Sequence, residues 1–204
     1  KHTVETFGRV AAQTAKQVIL QRLREAEREI VLEEYEDKVG AIVRGTVAKV
    51  DQRVVRIDLG KATGILPLRE QIQGEYYSPG QRVKVLIKEI EREGHAPELI
   101  LSRGDPRFIE ILFGQEVPEL EGGMVEIVSL TREAGRRTKM AVKSNTPGVD
   151  PVGTFVGGRG VRVQAVMNEI GDREKIDIVT WSSNPSEFIR EALSPAEIVE
   201  VKID

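Results

Sequence analysis

The 204 residues carry 30 Lys and Arg against 33 Asp and Glu, a formal net charge of −3, and 40 % of them are hydrophobic, enough for the core of one large domain or two small ones. There is no cysteine, and the only histidines are His2 and His95. Disulfides, thiol nucleophiles, zinc fingers and iron–sulfur sites are therefore excluded, and a two-histidine metal site or a histidine triad has little material.

A charge of −3 taken whole argues against a nucleic-acid partner, since such proteins usually carry a basic excess. No apolar run approaches the ~18–20 residues of a membrane span, and no signal peptide is visible. The expected location is the cytoplasm, with no membrane partner. The chain begins with Lys1 and ends in an alternating run, Ile198 to Asp204. It reads as a piece of a longer protein.

From about Gly8 to Glu36 there is no proline and no further glycine, and Ala, Gln, Leu, Arg and Glu dominate. Ile19, Leu23, Ala26 and Ile30 are spaced as one narrow helical stripe. The segment predicts one long helix packed on one side, either a solvated connector or a rigid spacer.

Gly40 to Arg103 changes period. Runs at 41–47, 54–59, 82–87 and 98–102 alternate Val, Ile or Leu with polar residues, punctuated by Gly60, Gly64, Pro79-Gly80 and Gly94. About five short strands in this span suit a small closed barrel of the oligonucleotide-binding type. The acidic run Glu89 to Glu93 beside His95 reads as a solvated hairpin tip rather than an acid/base pair.

Asp105-Pro106 supplies an N-cap and a first-turn proline, and Phe108, Ile109, Leu112 and Phe113 give the helix that follows an apolar face. Two strands follow, Met124 to Arg132 and Thr138 to Ser144, joined by a turn at Gly135-Arg136-Arg137. Asp150-Pro151 repeats the capping device for a short helix. Gly157-Gly158-Arg159-Gly160 interrupts it, a helix runs from about Val161 to Glu169, and Lys175 to Val179 is a last strand. Asn184 to Glu187 resembles a capping box, opening a helix over Phe188 to Leu193, and Ile198 to Ile203 alternates as a strand would.

The glycine loop can hold phosphate. Its first and last glycines permit positive φ, so a phosphodiester can lie against the backbone. The N-terminus of the next helix offers free N–H groups and a positive dipole end, and Arg159 and Arg162 add charge. This is the logic of a G-x-x-G nucleic-acid clamp, although four residues alone also fit a plain helix–turn–helix connection. A mononucleotide P-loop is excluded, because no Lys-Ser/Thr follows and a helix precedes.

Several segments carry a resemblance. They are Leu101-Ser102-Arg103, Phe113 through Glu119, Gly123 through Ile127, Arg132 through Val142, Asp150 through Gly153, Gly157 through Arg162, and Glu174 through Val179. Together they resemble the NusA family of bacterial transcription termination/antitermination factors. The resemblance implies an α+β multidomain fold: a long N-terminal helix, an OB-fold β-barrel (S1) and a type II KH domain. On that basis residues 1–38 are the connector helix ending a polymerase-binding N-terminal domain, 39–103 the S1 domain, 104–183 the first KH domain, and 184–204 the start of a truncated second one.

It also implies a non-catalytic RNA-binding elongation factor that modulates pausing, termination and antitermination. Its partners would be nascent single-stranded RNA, RNA polymerase (mainly through the missing N-terminal domain) and other termination and antitermination factors. No cofactor, metal or catalytic residue is expected. The alternative is a non-catalytic S1/KH subunit of an RNA-processing or exoribonuclease assembly, and the S1-before-KH order favours the transcription factor.

The expected RNA contacts are Gly157, Gly158, Arg159, Gly160 and Arg162 in the loop. Arg136, Arg137 and Lys139 form a second cluster at the hairpin, which also reads as a solvated turn. Val156, Val161, Val163 and Ile178 either line an apolar groove for bases or pack in the core. In the barrel the only aromatics are Tyr76 and Tyr77, so stacking there is scarce. Arg53, Arg56, Lys61, Arg69, Lys84 or Lys88 would carry weak, salt-sensitive binding, with Tyr77 the stacking candidate. Residues 127–168 hold seven Lys and Arg and two Asp and Glu, a local +5 that includes hairpin and loop. The charge of −3 thus averages segments of opposite sign.

Overall fold

The structure, a computed structural model, describes residues 2–94 and 96–203. His95 and Asp204, named above, lie outside the described residues.

Helix α1 spans His2–Glu36, earlier in its start than the sequence pattern indicates. At 1.5 Å per residue it is about 50 Å long. The stripe does not pack: Ile19, Leu23 and Ile30 are more than half exposed. Only the last turns touch the rest of the molecule. Leu32 and Tyr35, one turn apart, are buried in the core of the following domain. Exposed ion pairs flank this plug, Lys61 to Glu34 at 2.7 Å and Arg92 to Glu29 and Glu36 at 3.0 and 2.6 Å.

Five strands follow, β1 Ile42–Val50, β2 Val54–Asp58, β3 Thr63–Pro67, β4 Arg82–Glu91 and β5 Glu98–Ser102. They close into a barrel in the order β1-β2-β3-β5-β4. Only β3 and β5 pair in parallel; β1 and β4 close the ring antiparallel. Period-two alternation sends Val55, Ile57, Val83, Val85 and Ile87 inward. This is the oligonucleotide-binding barrel that the strand count suggested.

The second domain holds α2 Pro106–Glu116, α3 Pro118–Glu121, β6 Val125–Glu133, β7 Arg137–Ser144, α4 Pro151–Val156, α5 Val161–Ile170 and β8 Lys175–Thr180. Asp105 caps α2, its carboxylate accepting from the Arg107 N–H at 2.9 Å. The sheet order is β6-β7-β8, with β6 and β7 antiparallel and β7 and β8 parallel. The parallel pair needs a crossover, and α4, the glycine loop and α5 provide it. This is the type II KH arrangement. Phe108, Phe113 and Phe155 fill its core, the last two edge to face at 5.8 Å.

The two domains share buried arginines. Arg103, 2 % exposed, donates to both carboxylate oxygens of Glu75 (2.9 and 2.6 Å), to the Lys84 carbonyl (2.6 Å) and to the carbonyl and carboxylate of Glu169 (2.9 and 3.2 Å). Arg132 and Glu174 form an ion pair with no exposed side-chain surface. Arg132 also donates to the Arg103 and Asp105 carbonyls, and the guanidinium groups of Arg103 and Arg132 both lie over the Phe108 ring, 5.3 and 5.9 Å from its centroid. Outside this knot, Leu86 of β4 joins the KH core directly, and Ile42 of β1 packs against it.

Helix α6, Pro185–Ala192, is capped by Asn184, whose side chain accepts from the Ser186 N–H at 3.1 Å. The strand expected over Ile198 to Ile203 is absent: residues 197–203 pair with no sheet. Alternation supplies a face but not a partner strand.

Candidate nucleic-acid interface

The loop between α4 and α5 has the conformation its glycines allow. Gly157 sits at φ 77°, ψ 168°, a region essentially restricted to glycine, and Gly160 at φ 74° is left-handed. Between them a single 3-10 turn spans Gly158–Gly160. Arg159 adopts φ 57°, the only non-glycine residue with positive φ among the described residues. No side chain caps α5, so its N-terminus faces the loop without a protein acceptor from a cap.

The four loop positions differ in the room around them. A methyl group on Gly158 would meet nothing within 4 Å, and Gly158 and Arg159 are exposed. A methyl group on Gly157 would lie 2.7 Å from Cγ of Arg162. Arg162 thus fills the inner side of the loop. Its guanidinium grips the Glu119 carboxylate at 3.0 and 3.2 Å and donates to the Thr154 carbonyl at 2.8 Å, tying together α3, α4 and α5. The Arg162 hydrogen bond and charge hold the Glu119 carboxyl below its ordinary range. The expectation that Arg162 adds free charge at the phosphate is corrected here: it braces the loop.

Arg159 differs from its neighbours. Among the described residues it has no ion pair and no hydrogen-bonded side-chain partner. Val161 beside it is 65 % exposed, while Val163 and Ile178 are half-buried against the core. Only Val161 of these three presents most of its surface to a ligand.

The hairpin cluster is not brought to the loop. The tip is pressed on the barrel domain, where a methyl group on Gly135 would lie 2.4 Å from the Gln73 carbonyl oxygen. Arg137 is in register with Lys175 at the start of β8, the end of the sheet reached after α5. The glycine loop lies at the opposite end of that helix, about 15 Å away for ten residues. The three cations also have partners. Arg136 pairs with Glu133 at 2.8 Å, Arg137 with Asp177 at 3.2 Å, and Lys139 donates to the Ala192 carbonyl at the end of α6. Thr138, Met140 and Val142 are buried, so Arg137 and Lys139, alternating with them, point to the other face of the sheet.

The local +5 is therefore largely offset in space. Arg132 is matched by Glu174, Lys143 by Glu126 and Arg162 by Glu119, all acids from outside residues 127–168. Arg159 is the cation of that block that stays free.

In the barrel, Arg53 and Arg56 are exposed, and Arg56 projects outward between the buried Val55 and Ile57 of β2. Tyr77 is not a stacking ring. It packs on the barrel core, and its hydroxyl donates to Glu75 at 2.6 Å. Burial, reinforced by the Glu75 carboxylate, pushes its phenol well above the ordinary range. The exposed ring is its neighbour Tyr76, at 83 %. A Tyr-Tyr pair in an irregular segment carries no period that says which ring turns in. Arg103, Arg132, Glu119 and Glu174 were likewise not legible as a set, because each depends on a partner distant in sequence. Among the described residues no helix is long and apolar enough to cross a membrane.

Comparison with known families matches three stretches of the chain. Residues 103–181 match a family described as a NusA-like first KH domain, 36–103 an S1 RNA binding domain, and 1–29 a NusA N-terminal domain. The transcription termination/antitermination protein NusA of Thermus thermophilus is 46 % identical over 201 residues, covering 98 % of this chain and 52 % of that protein. NusA of Bacillus subtilis is 46 % identical over 202 residues, covering 99 % and 54 %. NusA of Mycobacterium tuberculosis is 42 % identical over 210 residues, covering 98 % and 60 %. The chain spans about half the length of the first two relatives.

Proposed function

This chain belongs to the NusA family, and from that premise we propose that it is the RNA-gripping part of a cytoplasmic, non-catalytic transcription termination/antitermination factor. The whole factor would modulate pausing, termination and antitermination by RNA polymerase, which it would contact mainly through N-terminal structure preceding α1. Other termination and antitermination factors would bind the same assembly. The relatives are named for transcription, which favours this reading over an RNA-processing subunit.

The observation that carries the RNA reading is the exposed, open backbone at Gly158 beside the unpartnered Arg159. Three of the four loop residues carry no Cβ, and a phosphodiester can approach the backbone closely at Gly158. The N-terminus of α5 adds its dipole, and Arg159 adds a charge that no protein group neutralises. Val161 offers an apolar contact for a base. Backbone and charge contacts of this kind position RNA without reading much sequence. Arg162 and Gly157 act by holding the loop shape. Arg53 and Arg56 add weak, salt-sensitive attraction, and Tyr76 replaces Tyr77 as the ring able to stack.

Gly158→Asp tests the reading. The site has room for the side chain, so the variant is expected to fold with an unchanged urea midpoint. Its carboxylate would stand in the phosphate path, and affinity for single-stranded RNA at low salt should fall at least about tenfold, ~1.4 kcal/mol. Equal affinity of a folded Gly158→Asp protein would remove the loop from the RNA path.

A further inference from the structure

Beyond the glycine loop the exposed surface continues as one face of α5. Val161, Gln164 and Asn168, at i, i+3 and i+7, share that face, and all three are exposed. Val166 and Ile170 turn the opposite way, into the core. The helix holds two charged residues, and both are engaged with other elements: Arg162 with Glu119, and Glu169 with Arg103 and Lys84. The exposed face is therefore neutral, in a chain of which 31 % is charged. Solvated helical surfaces in such a chain carry both signs, as α1 does between Arg22 and Glu36.

Gln164 and Asn168 are joined: the Gln164 Nε2 amino group donates to Asn168 Oδ1 at 2.9 Å. Amides paired four residues apart on a helix steady one another. Each side-chain amide has one acceptor oxygen and two donor hydrogens. Whichever amide donates, the pair leaves one carbonyl oxygen and one amino group turned to solvent. Among the described residues, Gln164 Oε1 and Asn168 Nδ2 have no hydrogen-bonded partner. An acceptor and a donor are thus presented one helical turn apart on an uncharged face. That is the complement of a base edge. For amide side chains the matched edge is that of adenine, whose N6 amino group donates and whose N7 accepts. Because the pair is already assembled, less side-chain freedom is lost on binding.

The face is continuous with the loop. Helix α5 starts at Val161, directly after Gly160, and Gln164 and Asn168 follow about 4.5 and about 10.5 Å along its axis. A strand with a phosphate at Gly158 and a base on Val161 brings a neighbouring base to the amides, and no carboxylate on the face repels its backbone. Backbone and charge contacts position a strand, whereas sequence is read by groups that meet base edges. We propose that Gln164 and Asn168 are base-reading residues of this domain, accepting from and donating to the edge of an adenine in the strand that the loop grips. The proposal rests on the reading of the loop as an RNA grip, and it adds a base preference that the loop contacts do not supply.

The test is a titration of the whole chain with a labelled oligouridylate, with and without one central adenine, over a range of salt. Wild type, Gln164→Ala/Asn168→Ala, Arg159→Ala and Gly158→Asp are compared. Alanine is the best helix former, and circular dichroism with urea unfolding checks that α5 and the domain persist. Wild type should prefer the adenine-bearing strand. The double variant should lose about tenfold in affinity for that strand and hardly any for plain oligouridylate. Its slope of log affinity on log salt should not change, because the lost contacts are neutral. Arg159→Ala should instead weaken both strands and flatten the slope by about 0.7, one single-strand phosphate contact. No adenine preference in wild type, or equal weakening on both strands in the double variant, would overturn the base-reading assignment. So would wild-type binding of both strands by the double variant, which would leave the neutral face to a protein partner; Gly158→Asp, if still weakened, would keep the loop reading intact. Loss of the adenine preference in the double variant with Gly158→Asp at full affinity would support the amides and overturn the loop.

Discussion

The hairpin tip and the glycine loop of the KH domain are both glycine turns flanked by arginines, yet they end in opposite states. At the hairpin, Gly135 is pressed on the Gln73 backbone, Glu174 accepts from the Gly135 N–H at 2.7 Å, and Arg136 and Arg137 each meet a carboxylate. At the loop, Gly158 faces open space and Arg159 meets no partner. The hairpin is a joint between domains, and the loop is a surface left unfinished by the protein. A backbone N–H or a cation saturated by a protein carboxylate has little left for phosphate, so an equal count of arginines does not imply an equal site.

Substitutions can break this contrast, beginning with the joint. Glu174→Gln should be the most damaging, because it leaves Arg132 buried with its charge uncompensated. A loss of about 3–5 kcal/mol in urea unfolding is expected. A loss below 1 kcal/mol would mean that the pair is not the joint its burial suggests. Gly157→Ala comes next, expected to cost about 1–3 kcal/mol. It forces a glycine-only backbone angle on alanine and pushes on Arg162, so RNA affinity should fall with stability, unlike Gly158→Asp.

A smaller effect is expected on acidification. The folded-state pKa of Glu119 is lowered by Arg162, so the brace is complete above the ordinary carboxylate pKa and is lost as pH falls through the lower folded value. Carbon-detected NMR should find Glu119 titrating below an ordinary glutamate, and shifted upward in Arg162→Gln. An identical titration in both proteins would detach the carboxylate from the loop. Arg136→Ala should do least. Its pair with Glu133 is exposed on both sides, so stability should move by less than about 0.5 kcal/mol and RNA affinity hardly at all. If Arg136→Ala weakened RNA binding as much as Arg159→Ala, the hairpin would be an RNA contact after all.

Much of this was readable before any coordinates. Asp105-Pro106 marked α2, and Phe108, Ile109, Leu112 and Phe113 marked its buried face, all four of which are buried. Period-two runs marked the barrel strands, although β3, with a glycine and a proline in five residues, was not singled out. Misreadings came where a local pattern had to stand for a distant partner. The Ile19 to Ile30 stripe has the right spacing but nothing against it, and Ile198 to Ile203 alternates with no strand to join. Tyr77 and Tyr76 exchanged roles because burial, and the carboxylate of Glu75, chose between two adjacent rings.

The sequence by itself determined the type and order of most elements, and it determined the shape of the glycine loop. Those depend on backbone sterics and short-range periodicity, which neighbouring residues set: φ 77° at Gly157 and 74° at Gly160 are conformations glycine adopts without strain. Only the tertiary structure decided which charges remain available. Arg132 meets Glu174 across 42 residues and Arg162 meets Glu119 across 43, and no local window contains both members of either pair. Coulomb attraction and hydrogen bonding act over a few ångströms of space whatever the separation along the chain. A run of +5 can therefore fold into a nearly neutral surface with one free arginine at its loop.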